Sequence, residues 1–223
     1  MPGGRRKLPV LAEISGPATG ESRAWSLRRA DLGALAPLRT ALDGHGVVLV
    51  SGEEDLTGAV ALAATATAAG RRTALLECDL ARPRLAAELG LAPAPGLHEY
   101  LRWEAEAPQV LQPLVLAGPA AGGAGAPLIC VTGGRAASDA TTLLGLESFR
   151  HAVAKLRAAY ELLILLGPAL EGAGGGPAEL VAAQADATLA AVSPAGLSGR
   201  PGRLLRLQLR RLPPRPLGAI AIG

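Results

Sequence analysis

Aromatic residues are nearly absent from this 223-residue chain, which holds two Trp, two Tyr and one Phe. Its core must therefore be built from Leu, Ala and Val within a composition that is 49% apolar. Cysteine is equally scarce. Cys78 and Cys130 lie in apolar, strand-like runs, LLECD and PLICVTG. That placement suggests buried, reduced thiols, and neither a disulfide scaffold nor a cysteine metal site is expected. The three histidines, His45, His98 and His151, are scattered without metal-ligand spacing. No apolar run reaches about 18 residues without a charge or a helix breaker, so no membrane-spanning helix is expected. No apolar stretch follows Arg5, Arg6 and Lys7, so no signal peptide is expected either. These absences place the chain in the cytoplasm, at most peripheral at the inner face of a membrane.

Acidic residues are missing from the C-terminal region. None follows Asp186, whereas Arg200, Arg203, Arg206, Arg210, Arg211 and Arg215 do. The net charge of +3 is too small to argue for nucleic acid, which is not expected as a partner. The basic tail reads either as a solvated helix face or as a contact for acidic lipid or an acidic protein.

What is present is a regular alternation. Buried strands are expected at 47–51, 73–78, 128–132, 161–166, 187–192 and 217–222. Helices are expected at 26–43, 57–69, 83–90, 97–104, 141–159, 178–185 and 200–212. Near-continuous apolar strands alternating with helices predict an α/β fold with a doubly wound, mostly parallel sheet in three layers. A chain of this length fits one such domain, residues 26–223, preceded by a loose arm, residues 1–25, rich in Gly, Pro, Ser and charge. Residues 106–113 read as a turn and 114–126 as a low-complexity surface loop. Tyr100 and Trp103 read as packing residues at a partly exposed edge.

Ligands of such sheets bind at the carboxyl ends of the strands. That edge holds Ser51–Thr57, Glu77–Asp79, Gly133–Arg135 and Leu166–Gly167. Its most informative part is the stretch GHGVVLVSGEEDLT, residues 44–57. A buried strand runs through a turn at Gly52 into an Ala-rich helix, where nucleotide-binding proteins carry a Gly-rich loop ending in Lys-Ser/Thr. Here the turn carries Glu53, Glu54 and Asp55 and no Lys. Acids at a helix N-terminus also have a structural reason, since the helix dipole favours them. Thr57 fits a helix N-cap as well as a metal ligand. Glu77 and Asp79 fit capping of the next helix or pairing with Arg82 or Arg84. Gly133-Gly134-Arg135 is a weak phosphate-loop signal and reads first as a turn.

Several separated motifs resemble the cytoplasmic domain of the bacterial tyrosine autokinases of capsule and exopolysaccharide synthesis. The stretch RRTALLECDLARPRLAAELGLAPAPGLHEYLRWEA, residues 71–105, is similar to a strand followed by D-x-D-x-R-R-P-x-L and later P-G-L-x-x-Y-L. Leu38-Arg39-Thr40, Leu128–Arg135, LLGLESFRHAVAKLRAAY (143–160) and LILLGPAL (163–170) continue the likeness, which covers roughly residues 33–223. Through that family the chain also resembles the MinD- and ParA-like ATPases, with their deviant phosphate loop.

The resemblance puts the family's phosphate-loop Lys on Asp55, its Ser/Thr pair on Leu56 and Thr57, and the Gly before the Lys on Glu54. The loop is about three residues shorter. The second Walker motif falls on Glu77 and Asp79, and the Walker B Asp falls on Leu166. The E-x-x-R-x-x-R motif that forms rings falls on Gly33, Ala36 and Arg39. The C-terminal tyrosine cluster is absent, the last Tyr being Tyr160. What this implies is a degenerate nucleotide site at Gly52, Asp55, Thr57, Glu77, Asp79 and Arg82, with Asp79 as the catalytic remnant. No cofactor is expected. If activity is retained, ATP and Mg²⁺ would bind with Thr57 and Asp79 as metal ligands and Arg82 as a phosphate contact. The expected function is a regulatory or interaction component of polysaccharide synthesis or export. Its expected partner is a protein, such as a membrane adaptor, and a homo-oligomer is open. The alternatives are a working tyrosine autokinase and a MinD- or ParA-like positioning factor.

Overall fold

The structure, a computed structural model, describes residues 8–14, 34–115, 127–168, 170 and 176–223. Its strands are β1 (Val10–Ile14), β2 (Val47–Ser51), β3 (Thr73–Glu77), β4 (Gln112–Leu114), β5 (Leu128–Val131), β6 (Leu162–Leu166), β7 (Ala187–Val192) and β8 (Pro216–Ile222). Its helices are α1 (Ala36–Ala41), α2 (Asp55–Ala68), α3 (Leu85–Leu89), α4 (Leu97–Leu101), α5 (Ala107–Val110), α6 (Ala140–Gly145), α7 (Glu147–Ala159), α8 (Pro177–Ala182) and α9 (Gly199–Leu209).

The strands form one sheet in the order β1-β8-β7-β2-β6-β3-β5-β4. Every neighbouring pair is parallel except β4–β5. Successive side chains of a strand point to opposite faces, so each strand feeds two cores. Val48, Val50, Leu75, Ile164, Leu166 and Leu189 join the core that holds the apolar residues of α1, α2 and α3. Val47, Leu49, Leu76, Leu163, Leu165 and Ala190 join the core of α4, α6, α7 and α9. This is the expected three-layer, doubly wound α/β architecture.

Helix α2 is buried from Asp55 through Ala66. Small side chains make that possible. A Cβ on Gly58 would lie 2.4 Å from Cβ of Ala191, so glycine lets the helix rest directly on β7.

Both sheet edges went unread in the sequence. Val10–Ile14, taken with the loose arm, pairs in parallel with β8 and buries Ala12 and Ile14. The rest of the arm lies outside the described residues, as does most of the expected loop at 114–126. Residues 106–113 hold α5 and most of β4 rather than a turn alone. The expected helix 26–43 is described only from residue 34, and its regular part is the short α1. The single helix expected at 141–159 breaks at Leu146, whose backbone is extended (φ −66°, ψ 153°).

Candidate functional site

The loop after β2 is three residues long, Gly52 to Glu54. Gly52 has φ +134°, and a Cβ there would sit 2.2 Å from the Ala191 carbonyl oxygen. That oxygen accepts the Glu54 N–H at 3.0 Å. The loop is thus folded down onto the end of β7. The Glu53 carboxylate accepts the Ser193 N–H at 2.9 Å and also binds the Ser193 hydroxyl. Partial burial, then Glu53 and Asp55, raise the Glu54 carboxyl. Gly52→Ala should cost about 2–3 kcal/mol through overpacking and the disfavoured φ. The check is a lowered urea midpoint with an unchanged m-value.

Helix α2 begins at Asp55, two residues before the expected start. Thr57 is therefore not the N-cap, a position held by Glu54; it is buried in the first turn. The Asp55 side chain is only 4% exposed and points inward. It accepts the Leu56 N–H at 2.7 Å, and Nη2 of Arg84 lies 2.9 and 3.0 Å from its two oxygens. Burial raises the Asp55 carboxyl; Arg84 and the Leu56 N–H pull it down without cancelling the rise.

Glu77 ends β3 fully buried. Oε1 accepts the N–H groups of Arg84 and Leu85 at 2.5 and 2.8 Å, and Oε2 accepts that of Gly133 at 2.7 Å. One carboxylate so ties β3 to the start of α3 and to the turn after β5. Burial raises its carboxyl against these three bonds. Asp79 is also buried and accepts the Arg82 N–H at 3.1 Å. Of the alternatives open for these acids, local capping and pairing is what the contacts describe.

Leu166 ends the central strand between β2 and β3, in register with Val50 and Glu77. Its side chain is fully buried in the core. The β6 end of the sheet edge therefore presents an apolar group. Arg82 keeps 64% of its side chain exposed. The guanidinium at the centre of the cluster belongs to Arg84, which sequence reasoning raised only as a partner for Glu77 or Asp79. It missed Asp55 as that partner because the two are 29 positions apart. Among the described residues, no group of three His, Cys, Asp or Glu side chains could hold a metal ion.

The Gly133–Arg135 segment is a structural turn. The Arg135 N–H and Nε donate to Glu99 at 3.1 and 2.9 Å, and Glu99 also accepts the Gly96 N–H at 2.8 Å. Burial alone would raise the Glu99 carboxyl, but these bonds outweigh it and bring it down to about 2. Trp103 does not pack as expected: it is 83% exposed, with φ 63°. Both cysteines are buried and free; burial raises the Cys78 thiol well above its ordinary range and Cys130 to about 12. No helix among the described residues is long and apolar enough to cross a membrane.

No family model and no curated protein matches the chain. Solved structures do. The chimerical protein CapA2B2 superposes with TM-score 0.79 at 15% identity, over 96% of this chain and 94% of its own. The kinase domain of the Escherichia coli tyrosine kinase ETK gives TM-score 0.77 at 19% identity, over 97% and 90%. This chain has the fold of the bacterial tyrosine-kinase domains. The same fold extends to MinD. The septum site-determining protein MinD of Pyrococcus horikoshii, solved with Mg-ADP, matches with TM-score 0.53 at 14% identity, over 79% of this chain and 69% of its own. On that fold, Asp55, Arg84, Glu77 and Leu166 lie together at the carboxyl edge of the sheet.

Proposed function

We propose that this protein is a catalytically degenerate member of the tyrosine-kinase fold that works through protein contacts. Its setting would be capsule or exopolysaccharide synthesis or export, and its partner a membrane adaptor of that machinery. The carrying observation is the Asp55 carboxylate, held by the first turn of α2 and by Arg84. On this reading, the chain supplies its own anion where the resemblance places a phosphate-binding Lys. A charge contact near 4 Å at an effective dielectric near 20 is worth roughly 4 kcal/mol. Exchanging Lys for a carboxylate that is itself paired with Arg84 removes that attraction. Glu77 and Asp79, both buried, keep the net charge of this edge acidic. The residues present do not fit Mg-ATP, because Leu166 stands where a carboxylate would orient the metal. Two N–H groups of the loop region, those of Glu54 and Leu56, are already bonded within the chain.

Calorimetric titration with Mg-ATP is the test. The expected result is no saturable binding into the millimolar range and no phosphate release. Saturable micromolar binding with Mg²⁺-dependent phosphate release would overturn the reading.

A further inference from the structure

The basic residues of α9 are arranged, as well as concentrated. Gly202, Leu205 and Leu209 are its buried face. One helical turn is about 3.6 residues, so Arg200, Arg203, Leu204 and Leu207 fall on the opposite side, and Arg210 and Arg211 follow in the turn that ends the helix. All six are exposed. Leu204 and Leu207 are each 56% exposed; Leu207 lies among the arginines, and Leu204 also borders Val192, Pro201 and Leu205. Among the described residues none of these four arginines is paired with a carboxylate, and no acid occurs in the chain after Asp186. A solvated face would account for the arginines but not for two leucines left half-exposed beside them.

We infer that this face of α9 docks on an anionic lipid bilayer. Two leucines would enter the interfacial layer while the surrounding guanidiniums meet lipid phosphates, which is how interfacial amphipathic helices bind. The charge complementarity names the lipid as anionic, and the exposed leucines favour a bilayer over a soluble polyanion. The helix needs no lipid to fold. Its inner face is part of the core, and the Gln208 side chain donates to the Leu170 carbonyl. Leu204 also borders a cleft of about 290 Å³ with Gly52, Glu53 and Val192. Docking would therefore bring the carboxyl edge of the sheet close to the membrane. The inference does not depend on whether nucleotide binds.

The experiment is co-sedimentation of the full chain with vesicles of phosphatidylcholine alone or mixed with phosphatidylglycerol. The expected result is retention by the anionic vesicles only, weakened by salt. Arg203→Ala/Arg210→Ala should lower the apparent lipid affinity about 30-fold, and Leu204→Ser/Leu207→Ser about tenfold or more. Unchanged circular dichroism and thermal midpoints would show that the variants fold. Soluble heparin or duplex DNA separates the sources: binding to either that the leucine variant leaves intact, without vesicle retention, would overturn the lipid assignment. Absence of retention at low salt, or retention indifferent to both variants, would overturn it as well.

Discussion

Arg84→Met is expected to destabilise the protein by about 2–4 kcal/mol at neutral pH, less than for a fully buried pair because the arginine is partly solvated. The argument is one of asymmetry. Asp55 is 4% exposed and Arg84 44%. Removing Arg84 strands a carboxylate in the core, whereas removing Asp55 leaves a guanidinium that can turn toward water. Asp55→Asn should therefore cost less, about 1–2 kcal/mol. The double variant should recover part of the Arg84→Met loss, which a double-mutant cycle would read as coupling.

The pH dependence gives a second reading of the same change. The Asp55 carboxyl already lies above its ordinary 3.8 in the folded protein, and Arg84 is what limits the rise. Without Arg84 the folded value climbs further. A group whose folded value is raised favours the native state when protonated. The loss in Arg84→Met should thus be smallest in acid and should grow as pH rises from about 4 toward neutrality. Denaturant melts across that range check it. A loss independent of pH would show that the pair matters only through packing.

Glu77→Ala is expected to cost about 3–5 kcal/mol, lowering the thermal midpoint by roughly 10 °C. It would leave three N–H groups, of Arg84, Leu85 and Gly133, without their acceptor. These bonds join β3, α3 and the turn after β5, so their loss loosens the carboxyl edge at several places. Glu77→Gln should cost less, about 1–2 kcal/mol, because one oxygen still accepts and the desolvation of a charge is relieved. Equal losses for the two variants would mean that side-chain volume dominates.

The six central strands were legible because each is a nearly unbroken apolar run, and a parallel strand buried on both faces has little choice of composition. The two edge strands were not. Val10–Ile14 is five residues set among Gly, Pro and charge, and Gln112–Leu114 is three. An edge strand is half exposed and short, so its pattern merges with that of a loop. The break at Leu146 had only a weak marker in Gly145, where α6 ends, since a lone glycine is tolerated inside a helical pattern.

At the site, sequence reasoning placed Asp55, Thr57, Glu77 and Asp79 at the carboxyl edge, where all four lie. It also placed Arg82 there, and the structure turns that side chain largely to solvent. Arg84 is its counterpart inside. Two arginines two positions apart on a loop offer no periodicity from which to choose the inward one; the choice falls to whichever can reach a buried acid.

The sequence by itself determined the layered α/β class, the positions of the six central strands, and the acidic character of the turn after β2. Periodicity and residue chemistry are local properties, and those conclusions needed nothing more. The tertiary structure alone decided what the acids do. Asp55 meets Arg84 across 29 positions, Glu53 meets Ser193 across 140, and Glu77 meets Gly133 across 56. Such pairings are set by which strands lie side by side, and strand adjacency in a parallel sheet is a matter of long-range packing. A carboxylate in the sequence is only a charge; its burial and its partners make it a brace or a ligand.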